Sequence, residues 1–334
     1  MSKQTKSKIW ELQSRIPEIL GIKYPIIQGA MSWCTDARLV AAVSNAGGLG
    51  ILGPHAGQTN NPSSNEEVIE RMRAEIRKVK ALTNQPFGVP VMISGNPEMY
   101  PLTTQLLMEE NVPVILINAV DAELFKIFKD AGRKILCRPL DITPANAREA
   151  ERLGADIIIA TGFDEGGTLP SKTIGTFSIT SQIVQAVNIP VMAAGGITDV
   201  NGVRSVFALG AEGVYAGTLF LATEESRMAD NVKKIVVESN AGDLLMFRSA
   251  LSFYRSLPTP FADKLMAMDK AGTPTAEITN LLVGSQGMRV GMVEGNLDKG
   301  FITVGNGVSY IHEIRPVSTV IKDVMRDFLF IHNQ

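Results

Sequence analysis

Eight short apolar runs rich in Val and Ile recur along the chain up to about residue 222: "PIIQG" from Pro25, "LGIL" from Leu49, "GVPVMI" from Gly88, "PVILI" from Pro113, "KILC" from Lys134, "DIIIAT" from Asp156, "PVMAA" from Pro190 and "GVYAG" from Gly213. None alternates apolar with polar residues, so each reads as a strand buried on both faces, the mark of a parallel sheet. Between them lie helix-like stretches such as "DARLVAAVSNAGG", "NEEVIERMRAEIRKVKALT", "DAELFKIFKDAG", "TPANAREAERLGA" and "DVNGVRSVFALGA". Each opens on a residue able to cap a helix (Asp36, Asn65, Asp121, Thr143, Asp199), and most close on a glycine suited to a left-handed cap. Eight strands alternating with helices predict an α/β fold, a (β/α)8 TIM barrel, ahead of an open doubly wound sheet. A chain of 334 residues, 45% hydrophobic, can bury that core.

The barrel accounts for residues 1–222, its strands beginning near residue 22. The stretch from "EESRMADNVKK" through "LLMFRSALSFYRS" to "EITNLL" reads as helical, which makes residues 223–315 a mostly helical cap or insert. Residues 316–334 are expected to form a final helix packing back on the barrel.

Several partners are disfavoured. Lys+Arg 32 against Asp+Glu 34 leaves a formal charge of -2, with no basic surplus for nucleic acid or an anionic membrane. No apolar run approaches the ~20 residues of a membrane span, and the start "MSKQTKSKIWELQ" has no apolar stretch behind its basic residues. Cys34 and Cys137 lack CxxC spacing, and His55, His312 and His332 share no ligand spacing, so neither a disulfide framework nor a metal site is expected. These features predict a cytoplasmic protein acting on a small molecule; a homodimer is compatible with them, and the oligomeric state stays open.

The glycines at the strand ends suggest a ligand. In such a barrel the active site lies at the C-terminal ends of the strands, and a phosphate commonly sits between the last two βα loops. Here the seventh run ends in "AAGGI" (Ala194, Gly195, Gly196) and the eighth in "YAGTLF" (Ala216, Gly217, Thr218). Backbone N–H groups without a nearby Cβ can approach phosphate oxygens, and Thr218 adds a hydroxyl. The plainer alternative is that strand ends need glycine to turn. The first run ends in Gln-Gly-Ala-Met, whose small residues would admit a flat ligand over the barrel mouth.

Taken in order, "YPIIQGAM", "AAVSNAGGLGILG", "LTNQPFGV", "RLGAD", "GFDEGG", "IPVMAAGGI", "ALGAEGVYAGTLFLATEES" and "GNLDKGFITVG" resemble the flavin-dependent family that includes nitronate monooxygenases (2-nitropropane dioxygenases) and the flavin type of enoyl-acyl-carrier-protein reductase. The resemblance runs from Tyr24 to the final helix. It implies FMN over the barrel mouth, with Ala30 and Met31 near the flavin ring, Gly166 and Gly167 beside it, Arg138 where relatives carry a cation, and Ala194, Gly195, Gly196, Ala216, Gly217 and Thr218 about the phosphate. NADH or NADPH would serve as a transient reductant, in keeping with the lack of a GxGxxG fingerprint after a strand.

The chain departs from the family's pattern in "GFDEGGTLP". Relatives with histidine-dependent chemistry look like "GxEAGGHxG" here, and Thr168 stands at the histidine position with Pro170 replacing a glycine. Threonine does not accept a proton at neutral pH as imidazole does. Pro90 stands where relatives usually carry Asn, and Asn306 of "VGN" replaces the commoner "GQ" element. Asp164, Glu165 and His55 are substitute acid–base candidates, against the plainer readings of solvated loop acids, of pairing with Lys172, and of a solvent-facing histidine. Cys34, just beyond the "QGAM" turn, could react near the flavin, against the commoner use of a small buried packing residue, and Tyr254 and Arg255 on the cap could reach a substrate or a nicotinamide nucleotide, against the commoner solvent-facing place on a helix surface.

These residues point to an FMN-dependent NAD(P)H oxidoreductase acting on an unsaturated, quinone-like, nitro or oxygen acceptor. The alternatives are an FMN- or phospholigand-binding barrel with little catalytic activity and a non-flavin phosphate-binding barrel enzyme.

Overall fold

The computed structural model describes residues 12–91, 98–250, 252–284 and 286–328. The opening "MSKQTKSKIWE", Met92 and Ile93 of the third run, and His332 lie outside them. Eight parallel strands close into a barrel, each pairing with its neighbours and the last with the first. They are β1 (Ile26–Gln28), β2 (Leu49–Ile51), β3 (Phe87–Val91), β4 (Val114–Ile117), β5 (Lys134–Cys137), β6 (Ile157–Thr161), β8 (Val191–Ala194) and β9 (Gly213–Ala216). Between β6 and β8 a two-residue strand, β7 (Gly167–Thr168), stands outside the barrel.

The unbroken apolar runs follow from burial on both faces. Along β4, Val114 and Leu116 fill the barrel interior with Ile157, Ile159 and Met192, while Ile115 and Ile117 pack outward under the helices. Ile16 and Leu20, on the short helix Ile16–Leu20, join the interior cluster from the N-terminal side of the strands. Asp36, Asp121, Thr143 and Asp199 cap their helices by accepting backbone N–H bonds. At the second helix the cap is Ser64, one residue before the expected Asn65, and its hydroxyl accepts from Glu67 N–H at 3.2 Å.

Beyond the barrel, helices Asp230–Glu238, Pro260–Lys270 and Thr275–Gly284 accompany a hairpin that the sequence reading took as helical. Strands β10 (Leu245–Arg248) and β11 (Phe253–Ser256) run antiparallel, and β11 pairs with β7. Phe247 and Tyr254 turn inward here, while Met246 and Arg248 face solvent. That two-residue period, together with pairing to β7, outweighs the helix preference of Leu, Met and Arg. Helix Val317–Val324 packs its Val317, Val320, Ile321 and Val324 against Leu39, Val43, Val203 and Val206 of two barrel helices. No helix among the described residues is long and apolar enough to cross a membrane.

Candidate active site

The C-terminal ends of the barrel strands and the segments after β9 enclose a cavity of about 480 Å³. Its floor begins at Gln28, fully buried at the end of β1. The Gln28 amide donates from Nε2 to Ile51 O at 3.2 Å and accepts at Oε1 from Ile51 N–H at 3.3 Å, which ties β1 to β2 as the chain leaves the sheet. The next residue must be glycine, because a Cβ on Gly29 would lie 2.5 Å from the Tyr215 ring. Tyr215 Oη accepts from Ala30 N–H at 2.9 Å and so pins the Gln-Gly-Ala-Met turn. The Arg138 guanidinium, just after β5, stands 5.3 Å from the centre of the same ring.

Arg138 forms an ion pair with Glu165. Burial pushes the Glu165 carboxyl up to about 7, against the opposing pull of Arg138 and Arg255. Its other oxygen, Oε1, has no hydrogen-bond partner among the described residues.

At the ends of β8 and β9 the chain leaves donors unused. Gly195 and Gly196 hold left-handed backbones (φ 108° and 73°), and a Cβ on Gly195 would come 2.7 Å from Thr176 Oγ1. Among the described residues, the N–H groups of Gly195, Gly196, Gly217 and Thr218 have no protein acceptor. Thr218 Oγ1 accepts from Gly305 N–H at 2.9 Å, which leaves its own O–H free to donate. Unpaired donors at two adjacent strand ends, on residues that all line the cavity, are a donor set that fits a phosphate group.

The loop "GFDEGGTLP" carries β7 across the mouth. Asp164 braces it and does not face the cavity: Oδ2 accepts from Thr176 N–H at 2.7 Å and Oδ1 from Asn306 Nδ2 at 2.8 Å. Arg255 is buried on β11 and donates to Phe163 O at 2.6 Å and to Glu165 O, so it fastens the same loop. Asp164→Ala is therefore expected to lower stability by about 1–3 kcal/mol, by leaving the Thr176 N–H and Asn306 amide unpaired. A thermal melt checks this, and an unchanged midpoint contradicts it. Across the cavity from the floor stand Tyr254, Met288, Met292, Phe301 and Thr303.

A family model described as nitronate monooxygenase matches residues 13–327. The chain belongs to the nitronate monooxygenase family. It is a flavin-dependent oxidoreductase. The solved structure of FabK from Thermotoga maritima superposes with a TM-score of 0.83 at 34% identity, covering 95% of this chain and 96% of that one. A 5-hydroxy-7a-methyl-1-oxo-octahydro-1H-indene-4-carboxyl-CoA dehydrogenase from Mycobacterium tuberculosis is 32% identical over 80% of this chain and 73% of its own length. A probable nitronate monooxygenase from Staphylococcus haemolyticus is 33% identical over 70% of this chain and 74% of its own.

The geometry sorts the residues that the sequence singled out. Ala30, Met31, Arg138, Gly166, Gly167, Ala194, Gly195, Gly196, Ala216, Gly217 and Thr218 all line the cavity, as do Thr168 and Glu165. Glu165 pairs with Arg138 and not with the exposed Lys172. His55 does not line it: its ring stacks on Trp33 at 4.3 Å, and burial lowers its pKa. Cys34 lines the cavity, but burial pushes its thiol up to about 12, so it stays protonated and packs as a small apolar group. Pro90 is buried within β3, and Asn306 holds Asp164. Sequence reasoning missed Tyr215 and Thr303; the pairing of a bulky aromatic on the eighth run with Gly29 on the first was the available signal for Tyr215.

Proposed function

We propose that this chain binds FMN noncovalently, takes electrons from NADH or NADPH, and passes them to an unsaturated, quinone-like, nitro or oxygen acceptor. The observation that carries the reading is the cradle of unpaired donors at Gly195, Gly196, Gly217 and Thr218, which suits a terminal phosphate. Ala30, Met31 and Arg138 would lie along the flavin ring. When bound, the flavin supplies the two-electron redox chemistry; the protein orients it and sets the local charge. A second reading, a flavin binder with little turnover, is favoured by Thr168 in place of an imidazole. Anaerobic mixing with NADH and with NADPH, followed by a panel of acceptors, separates the two: reduction of the bound flavin and reoxidation by an acceptor are expected, and bound flavin without either supports the second reading.

The Arg138–Glu165 pair makes the charge of the cavity depend on pH. Above about pH 7 Glu165 is ionised and offsets Arg138; below it Glu165 is neutral and the guanidinium charge stands alone. Glu165→Gln leaves Arg138 uncompensated at every pH, which favours the negative charge the cavity gains on flavin reduction. A single charge acting at about 10 Å through an effective dielectric of about 20 is worth roughly 1–2 kcal/mol, or ~20–40 mV for a two-electron couple. Potentiometric titration is expected to place the variant's midpoint above the parent's by this amount at pH 8 and much closer to it at pH 5.5. An equal difference at both values contradicts the assignment.

A further inference from the structure

We infer that Trp33 binds the electron acceptor: its indole N–H donates to an oxygen of the acceptor, and the His55 ring beside it holds the indole in place. The inference rests on the flavin-dependent oxidoreductase reading above and adds a contact by which that site recognises an oxygen-bearing acceptor. Its starting point is backbone strain. Four non-glycine residues among those described have left-handed backbones, and two of these four are neighbours: Trp33 (φ 65°), after β1, and His55 (φ 58°), after β2. Their rings stack with centres 4.3 Å apart and planes 13° from parallel. A bulky side chain on such a backbone is disfavoured; it persists where surrounding contacts over-determine it, commonly at a ligand site.

Those contacts are present. Trp33 N–H donates to Pro54 O at 2.9 Å, which joins the two strained segments directly. Two arginines from beyond the barrel fasten them from the other side. Arg227 donates to Trp33 O at 3.0 Å and to Gln58 O at 2.9 Å. Arg289 donates to Thr59 O at 2.9 Å and places its guanidinium 5.7 Å from the centre of the Trp33 ring. Burial lowers the His55 pKa, so the imidazole stacked on the indole is neutral at pH 7 and serves as a flat spacer.

The indole so held keeps one polar group uncommitted. Trp33 is 7% exposed and lines the cavity. Stacking on His55 covers a face of the indole and leaves its edge, where the Nε1–H sits. Among the described residues that N–H has no protein acceptor, yet it is not one of the buried unpaired atoms, so it keeps accessible surface. An indole N–H can only donate, and in a largely buried tryptophan it normally finds an acceptor. An oxygen brought by the ligand supplies one. Because the donor is neutral, it matches an uncharged oxygen, as in a quinone, ketone or nitro group. The apolar side chains of Met31, Leu282, Met288 and Phe301, which line the same cavity, suit the hydrocarbon part of such a molecule.

The test uses oxidised protein saturated with FMN and two unreactive ligands of one shape: acetophenone, which carries the oxygen, and α-methylstyrene, which has a methylene in its place. Calorimetry is expected to show the parent favouring acetophenone about 3- to 10-fold, the worth of one hydrogen bond. Trp33→Phe keeps an aromatic ring but no N–H, and the preference should vanish. His55→Asn suits a left-handed backbone but removes the stacked ring, and the preference should fall part of the way. A second measurement leaves both residues in place. Trp33 and Trp10 are the two tryptophans of the chain, so in Trp10→Phe protein the single indole signal of a nitrogen–proton correlation spectrum belongs to Trp33. Acetophenone should move it downfield further than α-methylstyrene does. A preference retained in Trp33→Phe overturns the donor role, as do equal affinities of the parent for the two ligands, binding of neither, or an indole signal that both move alike. A parent-like preference in His55→Asn overturns the positioning by His55. A parent that takes up no FMN overturns the underlying reading, and the inference with it.

Discussion

A Gly217→Asp protein is expected to fold and melt like the parent while losing flavin affinity by about 10³-fold. The backbone at Gly217 is ordinary (φ -103°), and a Cβ there meets only Met31 Sδ at 3.5 Å, so the substitution carries no strain of its own. The new carboxylate would stand beside the N–H donors proposed to hold the phosphate. Two unit charges about 4 Å apart through an effective dielectric of about 20 repel by roughly 4 kcal/mol, or about 10³-fold in affinity. Gly196→Asp is a poorer probe: its backbone is left-handed and its Cβ would press on Asp164 Cβ at 3.2 Å, so lost binding could reflect lost structure. Fluorescence titration with FMN, beside a thermal melt, measures both quantities. Binding within a few-fold of the parent by a normally folded Gly217→Asp protein contradicts the cradle.

Turnover of nitronates by the histidine route is expected to fall about 10²- to 10⁴-fold below that of relatives with an imidazole at the position of Thr168. The reason is the direction of proton movement. Thr168 cannot accept a proton at neutral pH, Cys34 is held protonated, His55 stacks on Trp33 outside the cavity, and Glu165 has one oxygen held by Arg138 and the other buried out of reach. Burial holds Tyr254 neutral, so it offers no base either. Steady-state kinetics with propionate 3-nitronate and the 2-nitropropane anion measure the deficit; turnover matching a histidine-bearing relative shows that another base serves the site.

The barrel was legible because strands buried on both faces must be apolar throughout. "PVILI" and "DIIIAT" have no exposed face to encode, and the intervening helices carry caps whose side chains satisfy otherwise orphaned N–H groups. The glycines at the end of the seventh run have a structural reason of their own: Gly195 and Gly196 hold left-handed backbones and are approached closely by Thr176 and Asp164, whereas Gly217 on the eighth run has an ordinary backbone. The hairpin was not legible. Residues 245–256 are rich in helix formers, and the strand that completes their sheet is a two-residue piece of a distant loop. The same long-range pairing hid the placement of Tyr254 in the cavity wall and of Arg255 against the loop, which a helical reading of the cap would spread around a helix surface. The Arg138–Glu165 pair joins two loops 27 positions apart in sequence, a separation without local periodicity.

The most direct test is the absorption spectrum of the protein purified without added cofactor and again after incubation with FMN and gel filtration, with mass analysis of whatever denaturation releases. The account predicts the two visible bands of a bound oxidised flavin and the release of FMN in close to one equivalent per chain. A colourless protein that retains no FMN after incubation would contradict it.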